Sequence, residues 1–494
     1  MTTLARTPGV ARSAAGIRWD IVEVCLSAAA FAVLCVLVLR AAPYLPEPDD
    51  NAYRASIVAM TEGHFFTLSG AQAHALAIRL TPQVARVNPG LGIGPVQWVQ
   101  LPGGRWISEK DPGYPYLAVA FQALGIIRLA PLFYGALGCL GLYFGGRRWL
   151  GRFGGAAAVG LYCSSGAAIL FAWRDYMPTF TEASLIAAGT GALLWAVLSA
   201  EASARRRTWV GLAGFVALEA ATFSRYTNIL VLGCAVVAVL VAWRRPAARL
   251  PGRTVAWWLA SVCVFGIGVA VFNTLIYGGP LRSGYRPGEI TFSLGAVGPN
   301  LRYMPAHLIQ AMPMLVLGLG GLAGIAVTWL RGRRAGGEQP SAAAHDLPAA
   351  HDLAAARDLA AGHDLAAGRD LAIGVALAAC WAAVWGLYAA YTWTAAPGLS
   401  TLQAVRFYVP ALGAISLLGA WLLVRVPRRQ PFVAITTLAV AAALFGLGGW
   451  AFHDMYQFPF GPRLSVVPGP GGTVQVSPGP GTEIGGRTAY RPPS

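Results

Sequence analysis

The residues best suited to chemistry lie in Glu47-Pro48-Asp49-Asp50-Asn51-Ala52-Tyr53, just beyond the first apolar span. A carboxylate held at a membrane face suits a general base that takes a proton from an acceptor hydroxyl. Ala52, Ala55, Val58 and Ala59 follow at helical spacing and Gly63 ends the run, so an Asp ahead of it serves equally as a helix N-cap. The roles are compatible, because a cap fixes a carboxylate in place. A second cluster closes the same loop: Ser108-Glu109-Lys110-Asp111-Pro112-Gly113-Tyr114-Pro115-Tyr116-Leu117. Its Pro and Gly are turn chemistry opening a helix, and Lys110 is a compact cation fit to hold a phosphate.

Between the clusters, residues 96–107 read as two short strands about a Gly turn. Gly90, Gly92 and Gly94 lack the flanking strand and helix of a dinucleotide fingerprint. Arg128, Arg174, Arg225, Arg282, Arg286, Arg302 and Arg406 recur near the same face. Singly, each is an interfacial snorkeller. Together with Lys110 they suit an anion site, and Arg225 and Arg406, beside apolar helix starts, are its best candidates. Glu182 and Glu219 fall just inside helix ends, where an ionisable group is either functional or one half of a helix–helix hydrogen bond.

These residues need a membrane scaffold. Of 494 residues, 56% are hydrophobic and 12% charged, against about 25% charged in soluble domains. The net charge of +16 comes mostly from short Arg clusters between apolar spans, which sets topology and is no nucleic-acid footprint. The seven cysteines lie in or against apolar spans with no Cys-x-x-Cys, so neither a disulfide framework nor a zinc cluster is indicated. A first span at 21–42 follows Arg6, Arg12 and Arg18. It is long for a signal peptide and lacks a clean cleavage site, which favours a retained helix. Further spans read near 128–146, 155–172, 182–200, 209–222, 227–243, 255–276, 305–330, 372–391, 407–424 and 432–451.

The expected fold is therefore an all-α polytopic membrane bundle of about 11 spans (range 10–13) with a large first external loop. With the amino terminus inside, the clusters at 147–152, 205–207, 244–253, 331–334 and 425–429 all fall inside too. Residues 114–127 are short enough to be a partial or interfacial helix. The expected divisions are a cytoplasmic 1–20, a transmembrane 21–451 containing the external loop 43–113, and an extracytoplasmic Pro/Gly-rich tail at 452–494 without fixed structure. Residues 331–371 carry a six-residue repeat (His345-Asp346-Leu347, His351-Asp352-Leu353, Arg357-Asp358-Leu359, His363-Asp364-Leu365, Arg369-Asp370-Leu371). Six residues turn a helix by about 600°, so successive copies point roughly 120° apart. A cytoplasmic low-complexity linker suits it better than a metal site.

Asp49-Asp50-x-x-Tyr53 in the first external loop, then Glu109-Lys110 with Pro112 opening the next helix, resembles the GT-C glycosyltransferases. Within them the pattern looks like the family 39-type and aminoarabinose-transferase-like enzymes that use polyprenyl-phosphate sugars. Phe223-Ser224-Arg225-Tyr226-Thr227, Asn273-x-x-x-Tyr277-Gly278-Gly279-Pro280-x-x-Ser283-Gly284-Tyr285 and Arg406-Phe407-Tyr408-Val409-Pro410 resemble later segments of bacterial members, so the resemblance spans about 20 to 425. It implies an inverting transfer with Asp49 as base and Asp50 as its neighbour. Lys110 with an Arg would receive the carrier phosphate, in a site drawn from Tyr53, Glu109, Lys110, Arg225, Tyr285 and Arg406. It also implies a polyprenyl-phosphate sugar donor, a cell-envelope acceptor, contact with membrane lipid, no nucleic acid and residence in a bacterial plasma membrane. Trp98, Trp106, Tyr285 and Trp393 then suit either sugar stacking or the membrane interface.

Two departures matter. The acidic pair is Asp-Asp where Asp-Glu is common, which leaves the base open between Asp49 and Asp50. Lys110 is followed by Asp111-Pro112-Gly113 where many relatives have consecutive prolines; Asp111 with Glu109 could instead bind a divalent metal, and no other cofactor is implied. A transporter or flippase of lipid-linked sugars would more often show Gly/Pro-broken helices at matching places in two halves, a symmetry not seen here. A non-catalytic envelope assembly protein would leave the Asp-Asp and Glu-Lys pairs unexplained.

Overall fold

The computed structural model describes residues 14–41, 48–80, 94–101, 103–245, 249–285, 288–337, 350–396, 399, 401–425, 429–457, 464–468 and 474–478. Glu47, Gly90, Gly92, Arg286, the first repeat copy and residues 479–494 lie outside them.

A long helix α1 (Ala14–Arg40) precedes the first loop, which holds α2 (Pro48–Thr61), α3 (Gly70–Leu80) and the strands β1 (Trp98–Gln100) and β2 (Trp106–Ser108). The strands pair antiparallel, Val99 opposite Ile107, about Gly103 and Gly104, both at positive φ. The short α4 (Gly113–Ala123) follows, an 11-residue helix too brief to cross a bilayer. Then come α5 (Ala130–Leu150), α6 (Gly154–Cys163), α7 (Gly166–Trp173), α8 (Thr179–Leu198), α9 (Ala204–Ser224), α10 (Ile229–Trp243) and α11 (Gly252–Tyr277). The last third holds α12 (Val297–Ala311), α13 (Leu315–Gly337), α14 (Ala350–Ala389), α15 (Thr392–Ala395), α16 (Leu412–Arg425) and α17 (Gln430–Gln457).

Among the described residues eight helices are long and apolar enough to cross a membrane, and α6 with α7 is an apolar pair bent by 58°, a broken ninth span or a re-entrant loop. The other two of the eleven expected spans fall on α9 and α16. The first is less apolar, carrying three arginines and Glu219, and the second has only 14 residues. Close backbone approach ties the core: a Cβ on Gly191 of α8 would lie 2.0 Å from the Gly141 carbonyl of α5. Small residues at such a crossing let two membrane helices touch without a hydrophobic drive.

The charged ends gather at one face. Arg147 donates to Asp20 at 2.8 Å and to Glu23 at 2.6 Å, which joins the end of α5 to the start of α1. Asp370 closes the same face, accepting from Trp149 Nε1 at 3.0 Å, Trp421 Nε1 at 3.1 Å and Arg425 at 3.2 Å. Asp370 belongs to the last copy of the repeat. From Ala350 onward it is helix, because Ala- and Leu-rich sequence is as favourable to helix as it is low in complexity, and its last Asp is buried in the bundle. Within the tail, Leu464–Pro468 pairs antiparallel with Val474–Pro478, two Val-bearing runs of the kind that favours strands.

Candidate functional site

The opposite face holds the site. Helix α2 begins at Pro48, whose fixed φ suits a first helical position, so Asp49 and Asp50 occupy the first turn rather than preceding it. There a carboxylate meets the positive end of the helix dipole. Adjacent helical positions point about 100° apart, and this separates the two. Asp50 turns inward with no exposure and accepts from Arg174 Nη2 at 2.5 Å, the arginine itself being 2% exposed. Asp49 turns toward the opening at 20% exposure, clamped by Lys110 Nζ at 3.1 Å and Arg406 Nη2 at 2.8 Å.

Lys110 reaches Asp49 because β2 and α4 are joined through a tight turn. A Cβ on Gly113 would lie 2.4 Å from the Phe223 backbone, and one on Gly284 would lie 2.5 Å from Glu109 Cα. Glycine at both positions lets the segments around 109–113, 223–225 and 278–285 close on one another. The Lys110 ammonium also pairs with Glu109 at 3.1 Å and lies 5.1 Å from the Tyr285 ring centre. Tyr53, one turn into α2, is buried edge-on to Tyr114 at 6.0 Å. Arg225, between α9 and α10, pairs with Glu182 at 3.1 Å, while Asn228 donates to the other Glu182 oxygen at 2.9 Å. An open cleft lined by Phe66, Trp98, Tyr116, Phe272 and Tyr277 leads down to Lys110.

Thus Asp49, Tyr53, Glu109, Lys110, Arg225, Tyr285 and Arg406 converge, and Asp50 is directed elsewhere. Glu219 is apart from this cluster, accepting from Ser261 at 3.0 Å. Gln97 belongs to the site although the sequence marks it only as part of a hairpin. Its side chain hydrogen-bonds Asp49, and its backbone sits at φ 55°, a strained conformation for a non-glycine residue. Among the described residues no group of three or more His, Cys, Asp or Glu side chains is arranged to hold a metal ion. Glu109 takes Lys110 as its partner instead.

Burial alone would raise the Asp49 pKa, but the charges of Lys110 and Arg406, with hydrogen bonds from Lys110 and Gln97, hold it well below the usual carboxylate range. Burial would lower the Lys110 pKa, yet Asp49 and Glu109 push it above the ordinary lysine value. Asp111 behaves oppositely: burial raises it to about 7, against the nearby Arg225 charge and the Tyr226 backbone N–H. A carboxyl whose folded pKa is raised contributes stability that is full below its unfolded value and lost as pH rises through the folded one. Asp111→Asn should therefore melt like wild type near pH 4 and increasingly above it toward pH 7 and beyond. Thermal unfolding of the detergent-solubilised protein checks this, and a difference independent of pH would contradict it.

Fold and site define a multi-pass helical membrane protein with a carboxylate and cation cluster at one end of its bundle. No family model matches the chain, and no curated protein matches it. Among solved structures it is similar to ArnT from Cupriavidus metallidurans in the apo state, with 16% identity, a TM-score of 0.47 and 87% of this chain covered. The same ArnT bound to undecaprenyl phosphate gives 16% identity and a TM-score of 0.45. An Archaeoglobus fulgidus oligosaccharyltransferase in the apo form gives 11%, 0.44 and 86% coverage. The chain spans 64% of the length of the ArnT chains and 56% of the archaeal one.

Proposed function

We propose that this protein is a membrane glycosyltransferase that moves a sugar from a polyprenyl-phosphate carrier to a cell-envelope acceptor, on the extracytoplasmic face and with inversion. The observation that carries this is Asp49 clamped between Lys110 and Arg406, a carboxylate held by two cations at one end of the helical bundle. Transfer from such a carrier needs little else. The acceptor oxygen attacks the anomeric carbon and loses its proton to a carboxylate, while the carbon–oxygen bond to the phosphate breaks and the leaving group takes the electron pair. A clamped carboxylate is a weak base. A donor phosphate competes for Lys110 and Arg406, and as they turn to it Asp49 regains basicity. Asp50, already neutralised by Arg174, has no such release.

The test is transfer from a panel of radiolabelled polyprenyl-phosphate sugars to envelope acceptors in membranes holding wild type or Lys110→Ala. Losing a preorganised charge at the leaving group typically lowers turnover by about 10²–10³, and a loss of that order at equal protein level is expected. Wild-type transfer from no member of the panel, or full transfer by Lys110→Ala, would sink the proposal.

A further inference from the structure

Arg225 and Arg406 come from segments far apart in sequence and carry like charge, yet both guanidiniums lie against one ring. The Phe407 centroid is 5.5 Å from the Arg225 guanidinium carbon and 4.9 Å from that of Arg406. Such distances fall within the range of cation–π attraction, about 6 Å. The ring is itself held, stacked on Tyr388 at 5.0 Å and met edge-on by Tyr391 at 5.1 Å. Trp393 adds a second aromatic contact to Arg406 at 5.5 Å.

We propose that Phe407 is a positioning residue, holding the two arginines together so that they meet the non-bridging oxygens of one carrier phosphate. This rests on the carrier-phosphate function proposed above. Arg225 pairs with Glu182 and Arg406 with Asp49, on different carboxylates. That leaves the pair to be kept close against its own repulsion. An aromatic ring does so without consuming N–H donors, because the attraction is to its π face and not to a lone pair. The Arg225 guanidinium hydrogen-bonds Thr179 through Nη2 at 3.4 Å and also Tyr388, while its buried Nη1 meets the geometric criteria for no hydrogen bond among the described residues. An aliphatic residue at 407 would fill similar space and lack the quadrupole.

The experiment measures binding of undecaprenyl phosphate and of undecaprenol to wild type, Phe407→Leu and Phe407→Tyr in lipid nanodiscs. Phe407→Leu should weaken the phosphorylated lipid about tenfold, the scale of two partly desolvated cation–π contacts, and leave the alcohol within about twofold. Phe407→Tyr, which keeps the ring, should bind both as wild type does. If Phe407→Leu keeps the phosphate preference, loses both lipids alike, or is not rescued by Tyr, the positioning role is overturned. A wild type with no preference for the phosphorylated lipid would overturn the carrier function itself, and the role of Phe407 with it.

Discussion

Asp49→Asn is expected to lower sugar transfer by about 10²–10⁴, the usual worth of a general base, without weakening the carrier. The substitution keeps the shape of the side chain and removes only its charge. Because Asp49 pairs with both Lys110 and Arg406, that charge competes with any phosphate for the same cations. Affinity for undecaprenyl phosphate should therefore hold or improve as turnover collapses. Turnover measured with saturating donor, alongside lipid binding on the same preparation, checks both halves. A parallel loss of binding and turnover would mean that Asp49 merely organises the cluster.

The second large effect is on stability. Asp50 and Arg174 form an ion pair with 0% and 2% of their side chains exposed, so removing one takes a counter-ion away from a buried charge. Asp50→Ala should destabilise the protein by about 3–5 kcal/mol, visible as a fall in the thermal midpoint in detergent. Combining it with Arg174→Met, which removes the buried cation as well, should recover part of the loss. A midpoint for Asp50→Ala equal to wild type would show that the pair contributes nothing. The two adjacent aspartates are thus expected to separate, Asp49→Asn changing turnover and Asp50→Ala changing stability.

The spans were legible because a bilayer demands long apolar runs and leaves arginines between them. The first loop was legible too, through Gly103 and Gly104 at the hairpin turn and Pro112-Gly113 ahead of α4. Residue types also pointed to Lys110, Arg225 and Arg406 as cations, which the structure brings close together. What stayed hidden was pairing across distance. Nothing local to Asp50 announces Arg174, 124 positions away, and nothing in Arg406-Phe407 announces that Arg225 lies on the same ring. The two aspartates could not be told apart from sequence because the distinction is rotational, set by where Pro48 starts the helix. The repeat is a different case: an Ala- and Leu-rich run with few breakers reads as a linker by complexity and as a helix by propensity. Only the packing of Trp149 and Trp421 around Asp370 decides.

The central claim is that Asp49 is the base of a transfer from a lipid-linked sugar. It is tested most directly by transfer from a radiolabelled polyprenyl-phosphate sugar panel in membranes carrying wild type, Asp49→Asn or Asp50→Asn, normalised to folded protein. Transfer lost in Asp49→Asn, and retained by whatever fraction of Asp50→Asn folds, is the predicted result. Wild-type rates in Asp49→Asn would contradict it and leave that carboxylate as an anchor for Lys110 and Arg406.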